Sequence, residues 1–578
     1  FDITLDDQSG ALNASEPSET ITLSYEAGSE PAAASFKAYF NVPAATYGKL
    51  SVVITTEGHT ASFDLTDGIE LLAGELAYTT KAVSGWTALE PELSVTWETN
   101  PTFEPVEITN DMKGKCNIVI NAPAGIKAFT VSMLSDYLNN DIGLTELDLL
   151  NPQGLETIFD MLNFPYGEKI LNQKTVPFDL TNAVALLEGK SGQHIFTMNV
   201  TDNNNKTINQ DITFFVPEAI SATVSDIDLW KNTATITLNN APEGATVQYK
   251  RSTESEWKNT TKNPNGTFSI TPSWITEEND AGKTVYSLDN NCGVFAGATY
   301  DWQILNGEAV VASGTFETSA GDPIENGDMS QWCETKEMLP LFGSKKITVW
   351  YPGSSWSDST PGFWDSSNNA GNKTACTQDK TKNASCAWLQ ASGVSLVGAL
   401  ASGSLFTGTF TYANMNGTAS FGQKYKYTAR PTALRLKYHA TLGTVNYNKH
   451  NGPLEKDKDI MDQCSFTVCI VDWDTRHDVQ SGTSAPKGIW DPITMGELPV
   501  DKQNGIIGYG VKYSSENTPG TDLIPLEIPI KYYQQTNAAP DGENKFTIII
   551  SVSTSRYGDY LNGCDKNKIY VDDFEWVY

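Results

Sequence analysis

"CSFTVCIVDW" (Cys464–Trp473) alternates along its length. Cys464, Phe466, Val468 and Ile470 make an apolar row, while Ser465, Thr467, Cys469, Val471 and Trp473 make a mixed one. Successive side chains of an extended chain point to opposite faces, so this is a strand with one core face and one face able to meet solvent or a ligand. "LRLKYHA" (434–440) reads the same way: Leu434, Leu436, Tyr438 and Ala440 point inward, and Arg435, Lys437 and His439 outward. In the closing "IYVDDFEWVY" (569–578), strict alternation puts Tyr570, Asp572, Phe574, Trp576 and Tyr578 on one face and Ile569, Val571, Asp573, Glu575 and Val577 on the other. A strand this apolar belongs inside a sheet and seals its domain. Its acids then require backbone N–H groups or a cation, because a bare buried carboxylate is too costly.

The rest of the chain repeats this texture. Gly, Ser, Thr and Asn abound, helix formers are sparse and short β-branched runs recur, which predicts an all-β protein. At 578 residues it needs several cores. "FDLTDGIELLAG" (63–74) and "FDLTNAVALLEG" (178–189) form an internal repeat, each downstream of an Asn-x-Pro-Ala turn. They predict two related immunoglobulin-like β-sandwiches over 1–106 and 107–216, or else one larger domain with two similar hairpins. The second copy carries an insertion at about 134–172, where Leu155, Ile158, Phe159 and Leu162 follow helical spacing. Residues 217–320 read as a fibronectin III or immunoglobulin-like sandwich, with Tyr300 placed to pin a corner between strands. Residues 321–578, which hold eight of the fourteen tryptophans, suit one large jelly roll.

The formal net charge of −31 opposes nucleic-acid binding, which requires basic patches to neutralise phosphates. No stretch approaches the roughly 20 apolar residues of a membrane span. An export signal or lipid anchor is expected upstream of Phe1, and such an anchor would be the only membrane attachment. The eight cysteines include no C-x-x-C pair, which argues against zinc. Disulfides involving Cys376 and Cys386, or buried free thiols, both fit a domain this large.

Sugars offer C–H patches that stack on aromatic rings and hydroxyls that need polar partners. "YPGSSWSDSTPGFWDSSNN" (351–369) reads as a surface loop with two indoles, so Trp356, Trp364 and Trp473 are the candidate platforms. Asn368, Arg435 and Arg556 are the candidate polar contacts. No H-E-x-x-H or G-x-S-x-G signature is present. The carboxylates that could serve a glycosidase are Asp472 and Asp474, which lack any distinctive context. Asp559 in "RYGDYLNG" is expected to cap a turn or pair with Arg556.

"IENGDMSQW" (324–332), "ASGSLFTGTF" (401–410), "YTARPTALRLKY" (427–438), "STSRYGDYLNG" (553–563) and "IYVDDFEWVY" together resemble the putative carbohydrate metabolism domain of exported and surface proteins of Gram-negative gut bacteria. "NAPAGIKAF", "VPFDLTNAV" and "HIFTMNVTD" are similar to a module of unknown function that precedes that domain. The resemblance implies a jelly roll like that of carbohydrate-binding modules, in an outer-membrane lipoprotein facing the cell surface or periplasm. It also implies a glycan-related role with a polysaccharide or oligosaccharide as partner. Such jelly rolls often hold calcium. Asp328 and Asp572 are the residues placed to bind it, although Met329 and Ser330 stand where the family carries an aromatic and an acid. No other cofactor is implied, and a monomer is expected. The expectation is thus a non-catalytic glycan binder on a sandwich stalk. The alternatives are an adhesive surface protein that binds another protein and a glycoside hydrolase.

Overall fold

A computed structural model describes residues 2–7, 19–24, 38–39, 41–56, 58–75, 80–97, 102–108, 116–338, 347–357, 360–370, 375–382, 385–395, 397–413, 416–450, 452–455, 459–483 and 486–578. The fold is all-β, built of sandwiched sheets with a few short helices. The chain divides into two compact units, 1–219 and 220–578. No helix of the described residues is long and apolar enough to cross a membrane.

In the first unit, Ala45–Thr56 and His59–Leu71 form a long hairpin at the centre of a five-stranded sheet. A second sandwich sets a five-stranded sheet, which contains Ile126–Leu134, Gly192–Asp202 and Thr207–Val216, against three strands centred on Cys116–Asn121. Glu92–Trp97, numbered with the first expected module, pairs with Cys116–Asn121. Ile118, Ile120, Phe129, Phe178 and Val200 fill the core between these sheets. The inserted helix is present as Glu156–Leu162, with Phe159 and Leu162 buried.

The sequence repeat does not become a structural repeat. Its first copy lies in the strand His59–Leu71. Its second ends a strand at Asp179 and turns into the helix Thr181–Ala185. Asp179 Oδ1 accepts the Thr181 N–H at 3.0 Å, and Leu180, Val184 and Leu187 are buried at helical spacing. Packing has overridden a shared local sequence.

In the second unit, residues 221–317 form two four-stranded sheets, one containing Thr233–Asn239 and the other Thr246–Arg251 and Thr299–Asn306. Tyr300 is buried, and its hydroxyl accepts the Phe295 N–H at 2.8 Å, which pins the corner. The hairpin Trp274–Glu278 and Thr284–Leu288 leaves this sandwich. It becomes the edge of a ten-stranded sheet through Tyr286, which pairs with Tyr532. That sheet continues through Ile506–Ser514, Cys464–Trp473, Phe546–Ser553, Ser404–Ala413, Asn416–Phe421 and His477–Ser481. A five-stranded sheet faces it, in the order Cys376–Asp379, Cys386–Gln390, Lys568–Val577, Ala433–Thr441 and Ile524–Pro529. Cys464, Phe466, Val468 and Ile470 enter the core between the two sheets, as their alternation dictates.

The last strand is central, as its composition requires, but strict alternation fails at Asp572 and Asp573. The register slips opposite Arg435–Lys437, and Asp573 adopts φ +51°. This bulge lets both Ile569 and Val571 before it and Phe574 and Trp576 after it face the core. Asp573 and Glu575 consequently point outward, where they pair with Lys437 (2.7 Å) and Arg435 (3.1 Å). Asp572 is buried, and its Oδ1 accepts the Asp573 N–H at 2.9 Å. All eight cysteines are free, Cys376 and Cys386 among them.

Candidate functional site

The outward row of Cys464–Trp473 divides into two parts. Cys469, Val471 and Trp473 are covered by the segment around Met495 and Leu498 and form a small second core. Ser465 and Thr467 stay uncovered and form part of the floor of a groove of about 760 Å³. Neighbouring strands add Ser404, Ser551 and Ser553, giving a hydroxyl-lined floor.

Two loops and one strand wall the groove, and they bring half-buried aromatic rings. Trp490 comes from the 486–499 loop and packs edge-on against Trp473 at 5.5 Å. Tyr557 and Tyr560 come from the loop after Phe546–Ser553, with ring centres 6.4 Å apart. Tyr513 rises from Ile506–Ser514 and carries the Arg556 guanidinium over its face at 3.7 Å. Arg556 Nη1 also donates to Gln463 Oε1 at 3.1 Å.

A buried acid holds that loop in place. Asp462 Oδ2 accepts from the Ser555 hydroxyl (2.6 Å), the Cys564 N–H (2.7 Å) and the Asn567 amide (2.7 Å). Desolvation raises the Asp462 pKa, and these hydrogen bonds oppose the rise.

Three carboxylates line the groove. Asp491 Oδ1 caps its own turn by accepting the Ile493 and Thr494 N–H groups. Glu497 Oε2 accepts the Gly488 N–H at 2.6 Å. Asp559, on the turn Gly558–Tyr560, neither caps that turn nor pairs with Arg556. It is exposed and lines the groove, and desolvation pushes its pKa up to about 6.

The residues singled out from the sequence are scattered. The three expected indole platforms are all buried. Trp364 is 0% exposed and donates to the Glu325 carbonyl at 2.7 Å. Trp473 is 2% exposed and donates to the Lys502 carbonyl at 2.9 Å. Trp356 is stacked on Tyr351 at 3.9 Å. These rings pin the loop and the sheet edge by packing. Asn368 is also buried, tying the Trp350 and Cys376 carbonyls to the Ala375 and Cys376 N–H groups. Arg435 lies on the other sheet, on its outer face, between Glu527 and Glu575. Only Arg556 lines the groove.

Asp328 and Asp572 are close enough for the Asp328 charge to help raise the Asp572 pKa to about 6, behind the larger effect of burial. No third carboxylate, histidine or cysteine joins them in a metal-holding cluster among the described residues. Asp472 and Asp474 both pair with Lys545, at 3.1 and 3.7 Å, and neither lines the groove. The sequence reading missed Trp490, Tyr513, Tyr557 and Tyr560. Trp490 stands in "GIWDPITMGELP" (488–499), a Gly and Pro punctuated stretch like the 351–369 loop, and that was the available signal.

No curated protein matches the chain. Among solved structures, it is similar to a putative glycoside hydrolase from Bacteroides thetaiotaomicron (14% identity, TM-score 0.29, covering 59% of this chain and 98% of that one). It is similar to a second putative glycoside hydrolase, from Bacteroides vulgatus (15% identity, TM-score 0.28, 42% and 99%). A structure of carbohydrate-binding modules from the β-sandwich superfamily also matches (8% identity, TM-score 0.13, 85% and 99%). Residues 316–577, which span the double-sheeted domain and its groove, match the family model described as Putative carbohydrate metabolism domain.

Proposed function

We propose that the C-terminal domain is a non-catalytic glycan-binding head. One observation carries this reading: the groove of about 760 Å³ sets half-buried rings (Trp490, Tyr513, Tyr557 and Tyr560) around a floor of serine and threonine hydroxyls. Pyranose C–H faces stack on such rings, and sugar hydroxyls exchange hydrogen bonds with such a floor. The match to a carbohydrate-related family supports it. In the same reading the sandwich modules serve as a stalk, on an exported protein anchored by lipid at the surface of a Gram-negative cell.

Affinity electrophoresis against a panel of polysaccharides tests the proposal. The full chain should be retarded by at least one polysaccharide. Trp490→Ala and Tyr513→Ala should each weaken that retention severalfold, since each removes an apolar ring face against which a sugar would bury its C–H groups. Trp364→Ala is predicted to lose stability instead. Retention unchanged in both groove variants would refute the assignment.

Hydrolysis is the second reading, and Asp559 favours it. Its pKa of about 6 lies where a general acid works. Reducing ends released by the protein, and no longer released by Asp559→Asn, would establish hydrolysis.

A further inference from the structure

Among the described residues the groove holds three carboxylates, Asp491, Glu497 and Asp559, against one cation, Arg556. That cation is already engaged, stacked on Tyr513 at 3.7 Å and bonded to Gln463 at 3.1 Å. Asp491 and Glu497 spend an oxygen on backbone N–H groups of their own loop. Asp559 is the exception: it is exposed and lines the groove, with neither a hydrogen bond nor an ion pair among the described residues. An ionised carboxylate only accepts hydrogen bonds. Facing a ligand, it therefore rewards hydroxyl donors and repels carboxylate or sulfate groups.

We infer that the groove selects uncharged glycans, and that Asp559 is the residue that enforces the selection by accepting from ligand hydroxyls and repelling anionic sugars. This rests on the glycan-binding reading and adds the ligand class. Aromatic stacking is indifferent to the charge carried elsewhere on a sugar, so the rings alone would admit neutral and acidic chains alike. A like charge placed against a partner costs several kcal/mol and suppresses wrong ligands. Desolvation, which raises the Asp559 pKa to about 6, leaves the group ionised at pH 7.5.

The test is affinity electrophoresis of the full chain at pH 7.5 in gels containing neutral β-glucan, mannan, xylan, polygalacturonate or a sulfated galactan. Mobilities are normalised to a gel without polysaccharide. The wild type should be retarded by a neutral chain and not by polygalacturonate or the sulfated galactan. Asp559→Asn, nearly isosteric at a position with no partner to lose among the described residues, should bind the neutral chain at least fivefold more weakly. It should also gain measurable retardation by polygalacturonate. Asp559→Ser serves as a second variant with the same expectation. Wild-type retention by a polyanion equal to that by any neutral chain would overturn the inference while leaving glycan binding standing. Variants indistinguishable from wild type on every gel would also overturn it. Retention by no polysaccharide at all would overturn glycan binding, and this selection with it.

Discussion

Asp572 shows what one buried acid costs. It is 2% exposed, and burial first, with Asp573 and Asp328 adding repulsion, raises its pKa to about 6. The folded state therefore holds the proton more tightly than the unfolded chain, whose carboxylate titrates near 4. The favourable contribution is complete below pH ~4 and fades as pH rises through about 6. Asp572→Asn keeps the Oδ1 acceptor for the Asp573 N–H and removes the charge. It should stabilise the domain by about 1–3 kcal/mol at pH 7.5, from 1.36 kcal/mol per pKa unit, and by little at pH 4. Urea denaturation at the two pH values checks this. A difference independent of pH would mean that the carboxylate is not the strained group. Calcium is excluded from that experiment by chelation. A rise in midpoint on adding it back to wild type, absent in Asp572→Asn, would support the cation expected at Asp328 and Asp572.

At the scale of elements, alternation made the sheets legible. Cys464–Trp473 and Ala433–Thr441 present the faces their sequences require. Two features were hidden from that reading. The bulge at Asp572 and Asp573 inserts one residue and reverses the faces beyond it, which no period-2 pattern reveals. The cover over Trp473 comes from Met495 and Leu498, about 25 positions along the chain, so a mixed row that looked open is closed at one end. The same limit explains why the loop tryptophans were misjudged: burial of a loop indole depends on partners remote in sequence. The groove loop, by contrast, has a local anchor that can be tested. Asp462→Ala removes the acceptor for Ser555, Cys564 and Asn567. Taking this acceptor from the Ser555 hydroxyl and the Cys564 N–H, and one of two from the Asn567 amide, should free the loop at a cost of about 1–3 kcal/mol per buried group left unpaired. Amide exchange at 555–567 should accelerate at least tenfold while Cys464–Trp473 stays protected. Uniform acceleration across the domain would show that Asp462 supports the whole fold.

At the scale of the molecule, composition was enough to predict an all-β fold. It could not show that the 221–317 sandwich lends a hairpin to the sheet of its neighbour, because strand pairing across modules leaves no mark in either sequence. A buried cation reinforces this junction. Arg430 is 0% exposed, lies over Trp230, Trp274 and Tyr532 at 4.6, 5.3 and 5.0 Å, and donates to the Trp230 carbonyl at 2.7 Å. Desolvation lowers its pKa, and no carboxylate pairs with it among the described residues. A fragment of residues 321–578 would strip away both indoles and the sheet edge. It should melt at least 5 °C below a fragment of 220–578, since a few kcal/mol moves the midpoint of a domain this size by several degrees. Equal melting points would mean that the junction is decorative.

The shared sheet and the enclosed guanidinium have a consequence for aim. A hinge needs a plane along which two bodies can slide, and here hydrogen bonds and a caged charge cross that plane. The cleft cannot swivel on its own. Its bearing is inherited from the sandwich beneath it, as a lamp's beam follows its bracket, and a chain captured there would be presented at one fixed angle to whatever that sandwich is fastened to.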